Sequence, residues 1–215
     1  MRGLVLVLVS ALALAACGQN SAEKSGGSQQ AENQTFPSLI AASYRAEATI
    51  TNSDGETSPF IMVRDGRKMR MEGTSDQGQF VVISNGENDE YLMISNGMAI
   101  RMTATGTNQA FQNPAALWEQ AGTGATFAGP CAGAGQVGSQ WARNNDAGEP
   151  QTVCVTTDGI ILKVTENGRT TWETTSVQRG PQAASQFEAP PGVRVMNLGD
   201  MSGAMQQAIE RAQKQ

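Results

Sequence analysis

The chain contains no histidine, which removes several kinds of catalytic site from consideration. A serine or cysteine nucleophile is commonly activated by a neighbouring imidazole, and most protein zinc sites use imidazole as a ligand. The acidic residues show neither calcium-loop spacing nor an evident acid/base pair. We therefore predict that the protein is not an enzyme and that it uses no metal and no cofactor.

Basic residues are few and scattered. The 15 Lys and Arg are outnumbered by 20 Asp and Glu, which gives a formal net charge of −5. Nucleic acid and anionic lipid headgroups both require a concentrated positive patch, which this pattern does not supply. We therefore predict no nucleic-acid partner, and we expect any attachment to a membrane to come from lipid chains.

Cysteine is also scarce, and the first of the three stands in an informative place. Met1-Arg2 gives a positive start, and Leu4 to Leu14 is an apolar run of signal-peptide length, too short to span a membrane. The run ends in Leu14-Ala15-Ala16-Cys17, which resembles the lipobox of bacterial lipoproteins. That resemblance implies cleavage before Cys17 and acylation of its thiol and of the new N-terminus. An ordinary secretory signal with an incidental cysteine is the alternative.

The chain divides into three predicted parts. Residues 1–16 are the signal peptide, residues 17–35 are the lipidated cysteine with a flexible polar tether, and residues 36–215 form a single domain. Gly18 follows the cysteine, where an Asp would resemble the signal for retention in the inner membrane. We therefore predict a lipid-anchored envelope protein, held on the outer membrane and facing the periplasm.

The remaining cysteines, Cys131 and Cys154, are expected to form a disulfide, because a periplasmic protein folds in an oxidising compartment. A redox-active pair is the alternative. It is disfavoured because the two residues are far apart in sequence and no Cys-x-x-Cys is present.

Turn dipeptides divide the domain into short strands. Asp65-Gly66, Asn96-Gly97, Asp158-Gly159 and Asn167-Gly168 each separate two apolar or β-branched runs, as in hairpins with two-residue turns. The predicted fold is mainly β with few α elements, an antiparallel meander. Its strands are expected near 43–51, 57–65, 67–73, 79–84, 89–95, 98–104, 137–143, 151–157, 160–166 and 169–178.

Two helices are predicted. Asn113-Pro114 provides an N-cap and a first-turn proline for a short helix ending near Gln120. A C-terminal helix is indicated by a stripe of apolar residues at helical spacing, formed by Leu198, Met201, Met205, Ala208, Ile209 and Ala212. This stripe either packs against the sheet or forms a lid or partner-binding helix.

The hairpins place methionine and aromatic residues on one face. A turn at Asp65-Gly66 predicts Met62 opposite Met69 and Phe60 opposite Met71, because a two-residue turn fixes the register. A turn at Asn96-Gly97 predicts the pairs Met93–Ile100 and Tyr91–Met102, and a turn at Asp158-Gly159 predicts Val155–Leu162 and Val153–Val164. The unbranched methionine side chain adapts to irregular apolar ligands. The candidate ligand wall is therefore Phe60, Met62, Met69, Met71, Tyr91, Met93, Ile100 and Met102, and an ordinary filled core is the alternative.

The stretch Gly133-Ala-Gly-Gln-Val-Gly138 matches the spelling of a dinucleotide-binding loop. It follows no clear strand and opens no helix, and the predicted disulfide encloses it. We therefore do not expect it to bind a dinucleotide.

Three stretches resemble the outer-membrane lipoprotein carrier and receptor family of LolA and LolB. They are Phe80-Val-Val-Ile-Ser-Asn-Gly-Glu followed by Tyr91-Leu-Met-Ile, then Thr157-Asp-Gly-Ile-Ile-Leu-Lys-Val164, and finally Phe187-Glu-Ala-Pro-Pro-Gly-Val193. The likeness covers about residues 43–197. It implies an open, strongly curved half-barrel sheet with helices laid into its concave side over an apolar cavity.

This chain departs from the family in three respects. No arginine could be matched to the one that controls the carrier's lid, and no loop matches the receptor's protruding loop with its exposed leucine. The Cys131–Cys154 pair and its Gly-rich insert are also additional.

Two functional hypotheses follow. The first is a lipid-anchored protein that binds a lipid or the acyl chains of a lipoprotein in a half-barrel cavity. The second is a non-catalytic structural or interaction module of the envelope, with a filled core and a protein partner.

Overall fold

The computed structural model describes residues 34–75, 78–87, 90–103, 122, 124–145 and 147–197. Twelve strands in these ranges form one sheet, in the order β12-β6-β5-β4-β3-β2-β1-β11-β10-β9-β8-β7. In chain order they are Ser43–Thr51 (β1), Thr57–Asp65 (β2), Lys68–Ser75 (β3), Gly78–Ser84 (β4), Glu90–Ser95 (β5), Met98–Thr103 (β6), Thr126–Gly133 (β7), Gln136–Asn144 (β8), Pro150–Val155 (β9), Ile161–Glu166 (β10), Arg169–Arg179 (β11) and Arg194–Asn197 (β12).

The sheet consists of two antiparallel meanders joined side by side. Strands β1–β6 form one meander, β7–β11 form the other, and β1 pairs with β11 to fuse them. β12 returns along β6 as a parallel edge strand, after a 3-10 helix at Ala184–Phe187. The predicted fold class, a mainly β protein with one open, curved antiparallel sheet, is confirmed.

All ten predicted strands are present, but β7 and β12 were missed. β7 reads Thr-Phe-Ala-Gly-Pro-Cys-Ala-Gly, and its Gly129 and Pro130 argued against a strand. Proline is compatible with an edge strand, which is where β7 lies. β12 has four residues, too few for alternation to be read. The two predicted helices and almost all of the predicted tether lie outside the described residues.

The predicted register of the β2–β3 hairpin was wrong by two residues. Met62 pairs with Met71 and Arg64 with Met69, because Asp65 pairs with Lys68 and the turn is formed by Gly66 and Arg67. Phe60 therefore does not pair with Met71. The side-chain period along a strand is two, so this shift leaves every residue on its predicted face.

The other two registers hold more closely. Met93 pairs with Ile100 and Tyr91 with Met102, as predicted. Val153 pairs with Val164 as predicted, but Val155 pairs with Ile161. A bulge between Ile161 and Lys163 causes this difference, because it adds one residue to β10.

The predicted disulfide is present and shows how strongly the second meander curves. It joins β7 to β9 across β8, with a Cα–Cα distance of 6.0 Å between Cys131 and Cys154. In a flat sheet, next-nearest strands lie about 9.5 Å apart. β7 therefore bends over its neighbours, and it also contacts β10 and β11.

The glycines of the dinucleotide-like stretch have structural explanations in this bent hairpin. Gly135 lies in the β7–β8 turn with a φ of 70°. A Cβ on Gly138 would stand 2.5 Å from the carbonyl oxygen of Val155, and a Cβ on Gly133 would stand 3.2 Å from Leu162. Gly138 must therefore be glycine because the strands pack closely, whereas a side chain at Gly133 would require Leu162 to shift slightly.

We predict that the double substitution Cys131→Ser, Cys154→Ser lowers the free energy of unfolding by about 3 kcal/mol, because the disulfide closes a loop spanning 23 residues. Urea denaturation of the oxidised and doubly substituted proteins measures the difference. The reduced wild-type protein serves as a control and should match the double variant. Equal midpoints for all three would contradict the prediction.

Candidate ligand-binding face

Cross-strand pairing arranges the predicted wall as rows on one side of the first meander, which we call the methionine face. The central row crosses six strands from β1 to β6. It consists of Ala46, Met62, Met71, Val82, Met93 and Ile100. The parallel pairing of β12 adds Met196 beside Ile100. After Ala46 the row thus contains six apolar side chains, of which four are the unbranched methionines.

Seven of the eight predicted wall residues belong to one packed cluster. Phe60, Met62, Met69, Met71 and Tyr91 are buried, and Met93 and Met102 are partly buried against them. Ile100 is half-buried in the central row opposite Met93. The cluster also includes Cys154 and Leu162 of the second meander, with Cys131 packed against it. The structure thus brings the predicted wall together and extends it to the disulfide.

At one end of this face, Phe60 contacts the ring of Trp172 and also lies with Phe80 against a glycine. The rings of Phe60 and Trp172 make an edge contact with centroids 5.0 Å apart. Gly73 lies between Phe60 and Phe80, and a Cβ there would come within 2.7 Å of the Phe80 ring. Such close contact requires the absence of a side chain at Gly73. This aromatic end was not predicted.

A cleft of about 470 Å³ lies at the same end. Ile50 and Phe80 line it and also pack against the methionine cluster. The other lining residues are polar, namely Thr51, Asn52, Glu56, Thr57, Ser58, Thr74 and Ser75. The volume falls within the range of small-molecule pockets. The cleft therefore borders the methionine face at Ile50, Ser58 and Phe80. Thr51, Thr57 and Thr74 lie on the opposite face of the sheet, because side chains alternate along each strand.

The opposite end of the face contains a buried arginine. Arg64 is fully buried, lies two residues beyond Met62 on the same face, and donates from Nη2 to the Met69 sulfur at 3.5 Å. It pairs across the sheet with Tyr44. Burial raises the pKa of the Tyr44 hydroxyl, and the positive charge of Arg64 offsets part of that shift. Sequence reasoning missed this residue, although Phe60, Met62 and Arg64 follow the period of two.

A surface ion pair closes the same end. Arg179, the other cross-strand neighbour of Tyr44, donates two hydrogen bonds to Asp158 at 2.7 and 3.1 Å. It also donates to the side chain of Gln136 at 2.7 Å, which ties β11 to the β7–β8 hairpin. The hydrogen bond from Arg179, assisted by one from Thr156, lowers the pKa of Asp158 to about 2.

The other side of the first meander is also covered. Val63, Ile83, Ile94 and Ala99 form a second cluster there, capped by Phe187 of the 3-10 helix. The strands of this meander are therefore apolar on both faces. Within the described ranges, no helix is long and apolar enough to cross a bilayer, and no cluster of His, Cys, Asp and Glu is arranged to hold a metal ion.

Comparison with known proteins yields structural similarity alone. No family model matches the chain, and no curated protein matches it in sequence. An uncharacterised conserved protein from Thermus thermophilus is 7% identical with a TM-score of 0.48, covering 74% of this chain and 92% of that one. MucB in complex with MucA(peri) is 15% identical with a TM-score of 0.46, covering 74% of this chain and 58% of that one.

A further solved structure is the MucA/MucB complex of Pseudomonas aeruginosa. It is 14% identical with a TM-score of 0.43, covering 74% of this chain and 60% of that one. The chain thus spans less than two thirds of the MucB chains it matches. Similarities of this strength assign neither a family nor a function.

We predict that Asp158→Asn destabilises the protein by about 1 kcal/mol at pH 7, because the ion pair is more than a third exposed and solvent screens it. The folded-state pKa is depressed, so this contribution is present above pH 4 and is lost as the pH falls through about 2. Urea denaturation at pH 7 and at pH 2 should show a difference between wild type and variant that shrinks in acid. A difference that is unchanged at pH 2 would contradict this assignment.

Proposed function

We propose that this chain is a lipid-anchored protein of the periplasm that holds the apolar part of a lipid, or of a lipoprotein's acyl chains, against the methionine face. The observation that carries the proposal is the alignment of methionine and aromatic side chains from five consecutive strands, β2–β6, on one face. In this proposal the protein is a binding protein and performs no catalysis.

The dimensions of the central row suit an extended hydrocarbon chain. Five steps between neighbouring strands, each about 4.8 Å, give a row about 24 Å long. One leaflet of a bilayer is about 15 Å of hydrocarbon. The row is therefore long enough for a single acyl chain to lie along it. Methionine side chains can change rotamer to accommodate that chain without movement of the backbone.

A second candidate function is supported by the burial of the same residues. Met62, Met69 and Met71 are 5%, 1% and 2% exposed, as in an ordinary packed core. In that case the face is filled by the protein itself, and function lies on the outer surface with an envelope protein as partner. The two candidates differ in whether the non-acylated protein binds an amphiphile.

The anchor in this proposal is Cys17, with the polar segment 17–35 as a spacer to the domain. A single acyl chain gives weak attachment, whereas two or more hold a protein firmly, at about 0.8 kcal/mol for each buried methylene. Gly18 after the cysteine supports placement on the periplasmic side of the outer membrane.

We predict that Met93→Asp weakens binding of a fluorescent fatty acid, 11-(dansylamino)undecanoic acid, by at least tenfold. A carboxylate in the middle of the wall is costly to desolvate beside an apolar chain. The measurement is a fluorescence titration of the mature chain carrying Cys17→Ser and secreted with an ordinary signal peptide.

Val137→Asp is the matched control, because Val137 is 83% exposed on β8, away from the wall. It should leave the titration unchanged, and thermal midpoints should show that both variants are folded. If a folded Met93→Asp variant bound the probe normally, the methionine face would not be the ligand-binding wall. A wild-type protein that binds no probe would favour the partner-binding function.

We also predict that wild-type protein sediments with membranes and yields an N-terminal peptide that begins at acylated Cys17. Replacement of Cys17 by serine should abolish that attachment, because the acceptor thiol is lost. Cell fractionation and mass spectrometry of the N-terminal peptide measure the two effects. The Cys131→Ser, Cys154→Ser protein should remain membrane-bound. An unmodified Cys17 in the wild-type protein would contradict the anchor.

A further inference from the structure

Methionine is confined to one side of the first meander. Every methionine within the described ranges lies on the methionine face, because each occupies the central row or stands two residues from it along its strand. These residues are Met62, Met69, Met71, Met93, Met98, Met102 and Met196. The cluster on the other side, around Val63, Ile83 and Phe187, has no methionine among its described members. The thioether groups therefore share one surface.

The exposure of these methionines rises across the face. The three on β2 and β3 are buried. The four on β5, β6 and β12, which we call the outer methionines, are more accessible. Met98 is 49% exposed, and Met93, Met102 and Met196 are half-buried. They lie on the strands farthest from the second meander, so a water-borne reagent reaches them before the buried three.

The outer methionines surround Ile100. Met93 pairs with Ile100 from β5 and Met196 pairs with it from β12, whereas Met98 and Met102 lie two residues before and after it on β6. Neighbouring strands are about 4.8 Å apart, and positions two residues apart along a strand are about 6.8 Å apart. An acyl chain that lay over Ile100 would therefore contact thioether groups on all sides.

Hydrogen peroxide converts a thioether to a sulfoxide. A lone pair of the sulfur attacks one peroxide oxygen and the O–O bond breaks. The hydrogen of the transferred oxygen passes to the other oxygen, which leaves as water, so sulfur loses two electrons and the peroxide is reduced. The product side chain is polar. Beneath a hydrocarbon chain the sulfoxide oxygen would lose its hydrogen bonds to water without replacement, which opposes binding of that chain.

We propose that the methionine face is an oxidant-sensitive site, which releases its apolar ligand when hydrogen peroxide oxidises the outer methionines. This inference rests on the proposed binding of an apolar chain to that face. The fold is retained after oxidation, because the methionines of β2 and β3 are shielded and the opposite cluster has no methionine among its described members. A sulfoxide can be reduced back to the thioether, so the release is reversible.

The test treats the non-acylated mature chain with hydrogen peroxide, removes the peroxide with catalase and then titrates the dansyl fatty acid. We expect its dissociation constant to rise at least tenfold in protein that keeps a cooperative thermal transition. Peptide mass spectrometry should find sulfoxide at the outer methionines, fastest at Met98. Unchanged binding by the oxidised protein, loss of the thermal transition, or sulfoxide forming first at a buried methionine would each overturn the proposal.

Replacement of the outer methionines by leucine tests whether they carry the response. Leucine is apolar and of similar volume, but it has no thioether. Each protein is compared with itself before and after peroxide, so a changed starting affinity does not affect the result. We expect less than a twofold change in the variant Met93→Leu, Met98→Leu, Met102→Leu, Met196→Leu. A tenfold rise in this variant would overturn the assignment to these residues.

The matched control is Met62→Leu, Met69→Leu, Met71→Leu, which removes the buried methionines and keeps the outer ones. Its dissociation constant should rise as much as that of the wild type. Both variants retain Met201 and Met205, so any contribution of these two would appear in both. A control that no longer responded to peroxide would assign the effect to the buried methionines and overturn the proposal.

Failure of the oxidation proposal is distinguishable from failure of the proposed function. If untreated protein does not bind the dansyl probe at all, the methionine face is not a ligand site and both proposals fail. If untreated protein binds the probe and peroxide leaves the dissociation constant unchanged, the face binds apolar chains and the oxidation proposal alone fails.

Discussion

The pairing of β1 with β11 is the interaction on which the rest of the structure depends. It joins residues far apart in the chain, such as Ala46 with Val177 and Ile50 with Trp172, and fuses two locally folded meanders into one sheet. Through it, Trp172 reaches Phe60 at one end of the methionine face, and Tyr44 lies between Arg64 and Arg179 at the other. Without this pairing, β1 and β11 would each be an edge strand with unpaired backbone groups.

Local signals were sufficient to predict most strands and the residues that share the methionine face. Asn96 and Gly97 adopt the positive φ values that a tight turn needs, at 50° and 74°, so the Met93–Ile100 pair followed from the sequence. The β2–β3 turn was placed one residue too early, which changed the partner of Met62 and preserved its face. A register error of one residue would have moved every side chain of the strand to the other face of the sheet. The error here was two residues, so the predicted residues remained on one face.

Apart from the disulfide, the features that depend on non-local contacts were not predicted. No turn dipeptide marks the β1–β11 pairing, and its bulge at Thr175 has no sequence signal. The close approach of the Phe60 and Phe80 rings to Gly73 could be anticipated only with the β3–β4 register known. The alternation of side chains along β2 could have predicted that Arg64 lies on the same face as Met62. The sequence alone does not indicate that this arginine is fully buried.

The two ends of the methionine face have opposite electrostatic character, and this gives the face a direction. Arg64 is fully buried at one end, whereas the cleft at the other end has the exposed carboxylate of Glu56 and no cation among its described lining residues. A buried guanidinium is costly unless hydrogen bonds or an anion compensate it, so the Arg64 end is closed to solvent and the cleft end is open to it. In the proposed binding function, the polar part of an amphiphile would therefore reach water at the cleft end, with its tail on the methionines between the two ends.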